Sequence, residues 1–461
     1  MRVDILRKIR GVMMRRRKTV LVFGGITLLF TVSLLGGLSC KKSQHWELSR
    51  FISPETCGGC HGDIYNQWKN SLHNLSHLDP LYKEVALYNL KGLTDRDEIA
   101  EAESCVKCHT PLGFFSGNPK KTSDELDKVP ALAQKGIQCD FCHSATGAYK
   151  VYNNHIELDP GMGETNPGIK RGPFADSKSD YHKSAYSAFH TDSKICGVCH
   201  DVRHVEFGTK LETTYEEWER SPYNAKDPEG RITCQGCHMY QRPGIPATGS
   251  TLRPKNPGKA SSDGPLREHL FTHYFVGGNS LLPSLFKDTI KGRMAEERLK
   301  NAGTVKIDGS KLKAGRLKII VTNTGAGHNL PTGLTDVRQM WLAVIVKDGS
   351  GKTVYSSGIP DKDGYLDTGA FLYNTVFGDG KGKPVENVAK AREILKDRRI
   401  PPKESLTESI KLPEMKGGRI RVEARLLYRS APQRLSDKVM GKGKLKLPIV
   451  VMAEDKKAFS L

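Results

Sequence analysis

Apolar residues are scarce in this chain. They make up 37% of its 461 residues, against 26% charged, so conventional hydrophobic cores will be small and something else must fill part of the interior. No cysteine follows Cys237, which removes thiol and disulfide chemistry from the C-terminal half. No nucleophilic triad, Rossmann glycine fingerprint or phosphate-binding loop rises above background. GDGKGK at 378–383 lacks the full loop spacing and reads as a β-turn. Long apolar runs are missing too, apart from Thr19 to Leu38.

That run belongs to targeting. A basic stretch, Arg15 to Lys18, precedes it and small residues follow just before Cys40, which is the order of an export signal. A start at Met13 or Met14 would give a signal of ordinary length. Cys40 is the odd one of eleven cysteines, and Leu38, Ser39 and Cys40 resemble the end of a lipobox, although Gly37 stands where that pattern prefers Leu. Three outcomes stay open: a lipid on Cys40, an uncleaved helix of about twenty residues spanning the bilayer, or plain secretion. All three put the chain on the periplasmic or cell-surface side, the first two anchored to the membrane.

The ten remaining cysteines form five CxxCH motifs: Cys57, Cys60, His61; Cys105, Cys108, His109; Cys139, Cys142, His143; Cys196, Cys199, His200; and Cys234, Cys237, His238. The signature joins two thiols to the vinyl groups of one haem and ligates its iron by the adjacent histidine. Zinc ribbons also use CxxC pairs, and exported chains use disulfides, but neither needs a histidine after every pair. The expected cofactor is therefore five covalently attached haem c, whose porphyrins would supply the missing core. They also alter the charge argument. Of the formal +20, residues 1–39 carry eight Lys/Arg and one Asp, and the haem propionates offset much of the rest, so no nucleic-acid partner is expected.

Ten histidines remain for the distal side: His45, His73, His77, His155, His182, His190, His204, His269, His273 and His328. Methionine is the alternative axial ligand and would raise the potential. Met1, Met13 and Met14 lie in the targeting segment, others in the β region, and Met239 abuts its own motif too closely. Mostly bis-histidine, low-potential haems are expected.

The run FISPETCGGCHGDIYNQWKNSLH, Phe51 to His73, resembles the opening of the tetrahaem cytochrome c of nitrifying bacteria and its multihaem relatives, the wider kin of hydroxylamine oxidoreductase. ICGVCHDV, TTYEEWERSPY and ITCQGCHM are similar to members of that group, so the resemblance covers roughly 51–245. It implies that the histidine of W-x-x-S-x-H, here Trp68, Ser71 and His73, is a distal ligand to another haem. His182 and His273 fall in patterns similar to those around family ligands. NTGAGHNLPTG, from Asn323, looks like a sequence of β-sandwich domains appended to multihaem cytochromes. His328 within it is read either as a turn residue or as a distal ligand projected from an exposed loop end. The fifth distal ligand is open between His77, His155, His190 and His269, or one haem lacks a sixth ligand, as in the family's tetrahaem prototype. The chain departs from the family in having five motifs, no CxxCK, and no sign of the tyrosine cross-link of hydroxylamine oxidoreductase.

The expected fold is α+β and multidomain: 1–40 an export signal or anchor, 41–302 a loop- and helix-rich pentahaem domain, and 303–461 a β-sandwich. Helices are expected at Asp63 to His73 and Leu282 to Ala302, and a polar connector at 248–265. The motifs, 48, 34, 57 and 38 residues apart, are too irregular for a tandem repeat. Beyond Gly303, alternating β-branched runs at Gly315 to Thr322, Gln339 to Val346, Arg419 to Tyr428 and Leu445 to Met452 predict strands. The function implied is respiratory electron transfer, anaerobic or extracellular, between redox proteins such as other cytochromes or a membrane quinol-oxidising complex. The alternative is an oxidoreductase acting on a small nitrogen or sulfur compound at a five-coordinate haem. A docking role for the sandwich is compatible with the first. Cys40→Ala should abolish acylation and release the protein into the soluble extract; unlipidated protein that stays in the membrane fraction would point to the Thr19–Leu38 helix.

Overall fold

Beyond Gly303, alternation of side chains builds two sheets. In Arg316–Asn323 the residues Leu317, Ile319 and Val321 are fully buried while their neighbours are not, the period-two pattern of a strand with one covered face. Its antiparallel partners are Gly303–Asp308 on one side and Ser405–Lys411 on the other. The second sheet runs in the order Thr353–Ser357, Gln339–Lys347, Arg419–Arg429, Val450–Ser460, with Phe371–Leu372 pairing on the Gln339–Lys347 strand. Leu342, Val344, Val422 and Leu426 of this sheet share one core with Ile307 and Ile319 of the first. This is a β-sandwich. The computed structural model describes residues 44–414 and 417–461; residues 1–40, expected to be an export signal or anchor, lie outside the described residues, Cys40 included. Among those described, no helix is long and apolar enough to cross a membrane.

The last strand corrects the sequence reading. It begins at Val450, not Leu445, and continues through the charged tail to Ser460. Gln433 is the cause. Its amide donates to Leu445 O at 2.8 Å and accepts from Leu447 N at 2.9 Å, so those backbone groups are bound to a helix side chain and not to a strand. The tail can remain charged because its outward residues lie exposed at the edge of the sheet.

Before Gly303 the helices are short. The expected helix Leu282–Ala302 is two, Leu281–Leu285 and Thr289–Lys300. Lys287 between them has φ 64°, and Asp288 caps the second by accepting from Lys291 N at 3.0 Å. The helix expected to reach His73 stops at Trp68, where Asn70 turns left-handed at φ 58° and donates its N–H to Asn74 Oδ1. The 248–265 connector is partly ordered: Gly258–Lys259 pairs with Leu266–Arg267, and Ser262 N donates to Cys60 O. Apolar clusters here are small and separate, one around Phe51, Leu112, Phe115 and Phe141 and another of Tyr215, Trp218 and Tyr223. Between them runs a cavity of about 1300 Å³.

Leu342→Ala should cost about 2–5 kcal/mol, since a leucine with no exposed surface leaves a cavity between two sheets. A denaturant midpoint equal to wild type would show that the two sheets do not share a tight core.

Candidate functional site

Each CxxCH motif occupies one helical turn. His61 N donates to Cys57 O, His109 N to Cys105 O and His200 N to Cys196 O, at 2.9–3.2 Å, while Cys139–His143 and Cys234–His238 are complete short helices. Positions i, i+3 and i+4 of a helix share a face, so the two thiols and the imidazole of each motif point the same way. All ten cysteines line the single cavity, together with His61, His109, His143, His200 and His238. None of the ten is in a disulfide. Among the described residues the His, Cys, Asp and Glu side chains form no group able to hold a metal ion by themselves, so zinc-ribbon geometry is not present there.

Four motif histidines face a second histidine across the cavity. His61 stands opposite His182 with ring centres 6.4 Å apart, His143 opposite His273 at 6.5 Å, His200 opposite His73 at 6.2 Å, and His238 opposite His328 at 6.4 Å. The ring planes are inclined by only 21–26°. A metal–imidazole bond of about 2.0–2.1 Å on each side, plus the ring radius, puts two imidazoles sharing one metal about 6.3 Å apart. The spacing therefore fits a haem iron between each pair, and the adjoining thiols fit its thioether attachment.

The rings are held from behind. Nδ1–H of His61 donates to Ala260 O at 2.6 Å, His109 to Ser76 O at 2.9 Å and His143 to Arg171 O at 2.6 Å. On the distal side His182 donates to Lys183 O, His273 to Phe271 O and His328 to Asn329 O, at 2.9–3.0 Å. A carbonyl only accepts, so the proton sits on Nδ1 and Nε2 keeps its lone pair for the cavity. His200 differs: its Nδ1 meets the Glu212 carboxylate at 3.3 Å. Burial pushes His73 and His273 down to about 3 and His109 to about 4, which keeps them neutral, the form that binds a metal. Burial opposes charge on Glu212, yet the His200 hydrogen bond and Arg338 hold its carboxyl below the usual range.

His109 has no facing histidine among the described residues. Tyr82 lies flat against its ring at 3.7 Å. Of the four open candidates, His77 is buried with Nε2 on Leu126 O, His155 bonds Tyr152 O through Nδ1, and His269 accepts from Asn256 N and stacks on Tyr240. His190 comes within 5.7 Å of His143, not of His109, and its Nε2 is bound to Cys142 O at 2.9 Å.

Thiols of different motifs lie close enough to influence one another's ionisation: Cys57 and Cys139, Cys196 and Cys234, and Cys199 and Cys108, with Cys142 near both Cys196 and Cys199. The first and third motifs are thus neighbours, and the fourth adjoins the second, third and fifth. Phe275 stacks on His73 at 4.3 Å and meets His273 edge-on at 5.3 Å, linking two distal histidines from a left-handed backbone at φ 41°.

The irregular motif spacing hides a duplication. Trp68 Nε1 donates to Ile137 O at 2.8 Å, two residues before Cys139; Trp218 Nε1 donates to Ile232 O at 2.8 Å, two residues before Cys234. Tyr65 packs on Trp68 as Tyr215 does on Trp218, with ring centres 5.9 and 5.8 Å apart. Tyr65 N bonds His61 O and Tyr215 N bonds His200 O. The first and third motifs therefore repeat as the fourth and fifth, and W-x-x-S-x-H becomes W-x-x-S-x-Y, ending at Tyr223.

His328 is not on an exposed loop end; it is partly buried and faces the cavity. Asn323, fully buried, closes its loop by donating to His328 O and Ile400 O and accepting from Ala326 N. Glu217 anchors the loop to the haem-motif region: it accepts from Asn329 N at 3.1 Å and Thr332 Oγ1 at 2.6 Å, and pairs with Arg399. Sequence reasoning missed Glu217, Glu212 and Phe275. Only the quoted stretch TTYEEWERSPY pointed near the first.

Comparison with known proteins fits this geometry. Residues 56–144, which hold the first three motifs, match the family described as cytochrome c554 and c-prime. That match implies covalently bound haem c and supports an electron-transfer cytochrome. A penta-heme cytochrome c552 from Thermochromatium tepidum has a similar fold, with a TM-score of 0.60 at 19% identity, covering 90% of this chain and 100% of that one. No curated protein matches the chain. Glu217→Ala should lower stability by on the order of 3 kcal/mol, because it strips a buried partner from Arg399 and frees the His328 loop. A chemical-denaturation midpoint within error of wild type would contradict that role.

Proposed function

We propose that the chain is an exported pentahaem c-type cytochrome that carries single electrons between redox proteins in respiration. The observation that carries this reading is the set of four histidine pairs 6.2–6.5 Å apart within one cavity lined by all ten motif cysteines. The haems would be held by Cys57 and Cys60, Cys105 and Cys108, Cys139 and Cys142, Cys196 and Cys199, and Cys234 and Cys237. His61, His109, His143, His200 and His238 would be proximal ligands. His182, His273, His73 and His328 would be distal ligands to the first, third, fourth and fifth. When bound, the haems supply the one-electron redox couple. The protein's own residues would orient the imidazoles, holding Nδ1 of His61, His109, His143, His182, His273 and His328 on backbone carbonyls and that of His200 on Glu212. The proximity of these thiols supports a path through the first, third and fourth motifs, branching to the second and fifth. Anchoring through lipidated Cys40 or an uncleaved helix, and exchange with other cytochromes or a quinol-oxidising complex, belong to the same proposal.

The second reading is an oxidoreductase acting on a small nitrogen or sulfur compound, in the manner of the hydroxylamine-oxidoreductase relatives. The observation favouring it is that His109 has no facing histidine among the described residues, which leaves one haem able to take an exogenous ligand. Both readings share a first test. Pyridine haemochrome titration should give about five haems per chain, and ferric electron paramagnetic resonance should show four low-spin centres and one high-spin. His328→Ala should leave haem content unchanged and add a second high-spin centre. Five low-spin centres in the wild type would remove the enzyme reading. An unchanged His328→Ala spectrum would reduce His328 to a turn residue.

A further inference from the structure

Between the two duplicated units, one difference is local and chemical. Tyr65 follows His61 after three intervening residues, whereas Tyr215 is separated from His200 by the segment 201–214. The extra residues do not disturb the repeat, since both tyrosine N–H groups still bond the motif histidine's carbonyl. They fold out as a hairpin, Val202–Arg203 against Lys210–Glu212, in which Val202 pairs with Glu212. The hairpin returns the chain to its starting point and delivers Glu212 to His200 Nδ1 at 3.3 Å. In the first unit the equivalent atom of His61 meets only a backbone carbonyl, Ala260 O. Thr214 Oγ1 donates to the same Glu212 oxygen at 3.3 Å and orients it.

We propose that Glu212 is a positioning and tuning residue that makes the haem at the fourth motif the most reducing of the four bis-histidine sites. The inference rests on the pentahaem reading above. A carboxylate accepting the Nδ1 proton gives the imidazole partial anionic character and makes Nε2 a stronger donor, which stabilises the ferric over the ferrous state. A neutral carbonyl does this far less. No bond is made or broken in the redox step, which is the gain or loss of one electron. The location gives the effect its significance. The thiols of the fourth motif lie near those of the second, third and fifth, so the least easily reduced centre would sit at the junction. Electrons would then rest on the outer haems and cross the junction only transiently.

The test is a spectroelectrochemical titration of the haem-loaded full chain, with Glu212→Gln compared to wild type. One low-spin midpoint is expected to move to higher potential while the other four hold, with five haems and unchanged spin states. Glu212→Asp, which withdraws the carboxylate by one methylene, should give a smaller shift in the same direction and serves if the first variant matures poorly. His73→Ala assigns the centre, because it should convert to high-spin the same transition that Glu212→Gln moves. Five unshifted midpoints in both Glu212 variants would overturn the proposal. If His73→Ala leaves every haem in its wild-type spin state, the ligation reading itself fails, and the Glu212 result is then judged apart from it.

Discussion

A pair of imidazoles facing each other across more than 6 Å of apolar cavity does not hold itself together. Their rings are too far apart for mutual packing, and burial makes protonating them costly. Each ring therefore has to be fixed from behind, and much of the surrounding structure serves that requirement. The strand pair Ile169–Gly172 and Lys183–Tyr186 is an example. One strand offers Arg171 O to His143, and the other begins beside His182 with Lys183 O as its acceptor. Asp140, buried inside the third motif, ties the same region together by accepting from Ile52 N and Ser144 Oγ and pairing with Lys170. The apolar clusters here are small and separate, not one continuous core.

What the sequence reveals follows from the range of each interaction. A CxxCH motif is complete within one helical turn, so all five were legible from residue order alone. The sandwich strands were legible where one face is covered, as in Leu317, Ile319 and Val321. Alternation failed at Leu445–Leu447, where Gln433 binds the backbone from a neighbouring helix, and charge hid the edge strand that follows. The histidines that face motif histidines were singled out in the sequence through resemblance and through the glycine-rich run around His328. Which motif each one faces was not legible. His73 crosses to the fourth motif, and nothing local to either residue encodes that meeting. Glu217 and Glu212 were invisible for the same reason, since an acidic residue in a charged stretch carries no mark of the partner it meets.

Duplication explains part of this economy. One unit, with its tyrosine–tryptophan pair and its tryptophan bound to the backbone before the next motif, is used twice with different loops. In the first unit the final position is His73, which leaves its own unit to face His200 in the second. In the second unit the final position is Tyr223, and its phenol oxygen is buried without a hydrogen-bond partner in the protein. The histidine facing the last motif comes instead from the sandwich, as His328. Glu217 joins this second unit to the sandwich loop that carries His328.

If the chain is exported as proposed, the direction of these pairings also bears on how it would mature. A protein crossing a membrane emerges from its N-terminus, and each motif can receive its haem once both cysteines and the histidine are out. The partners arrive later. His61 waits for His182, His143 for His273 and His238 for His328, while His200 alone finds its partner already delivered upstream. Most of the sites would therefore spend part of their assembly with one face open, and other histidines, such as His190 beside His143, stand close enough to compete for it. On the proposed ligation, correct pairing would depend on the last segment to emerge, and the sandwich would close the assembly of a region with which it shares no cysteine.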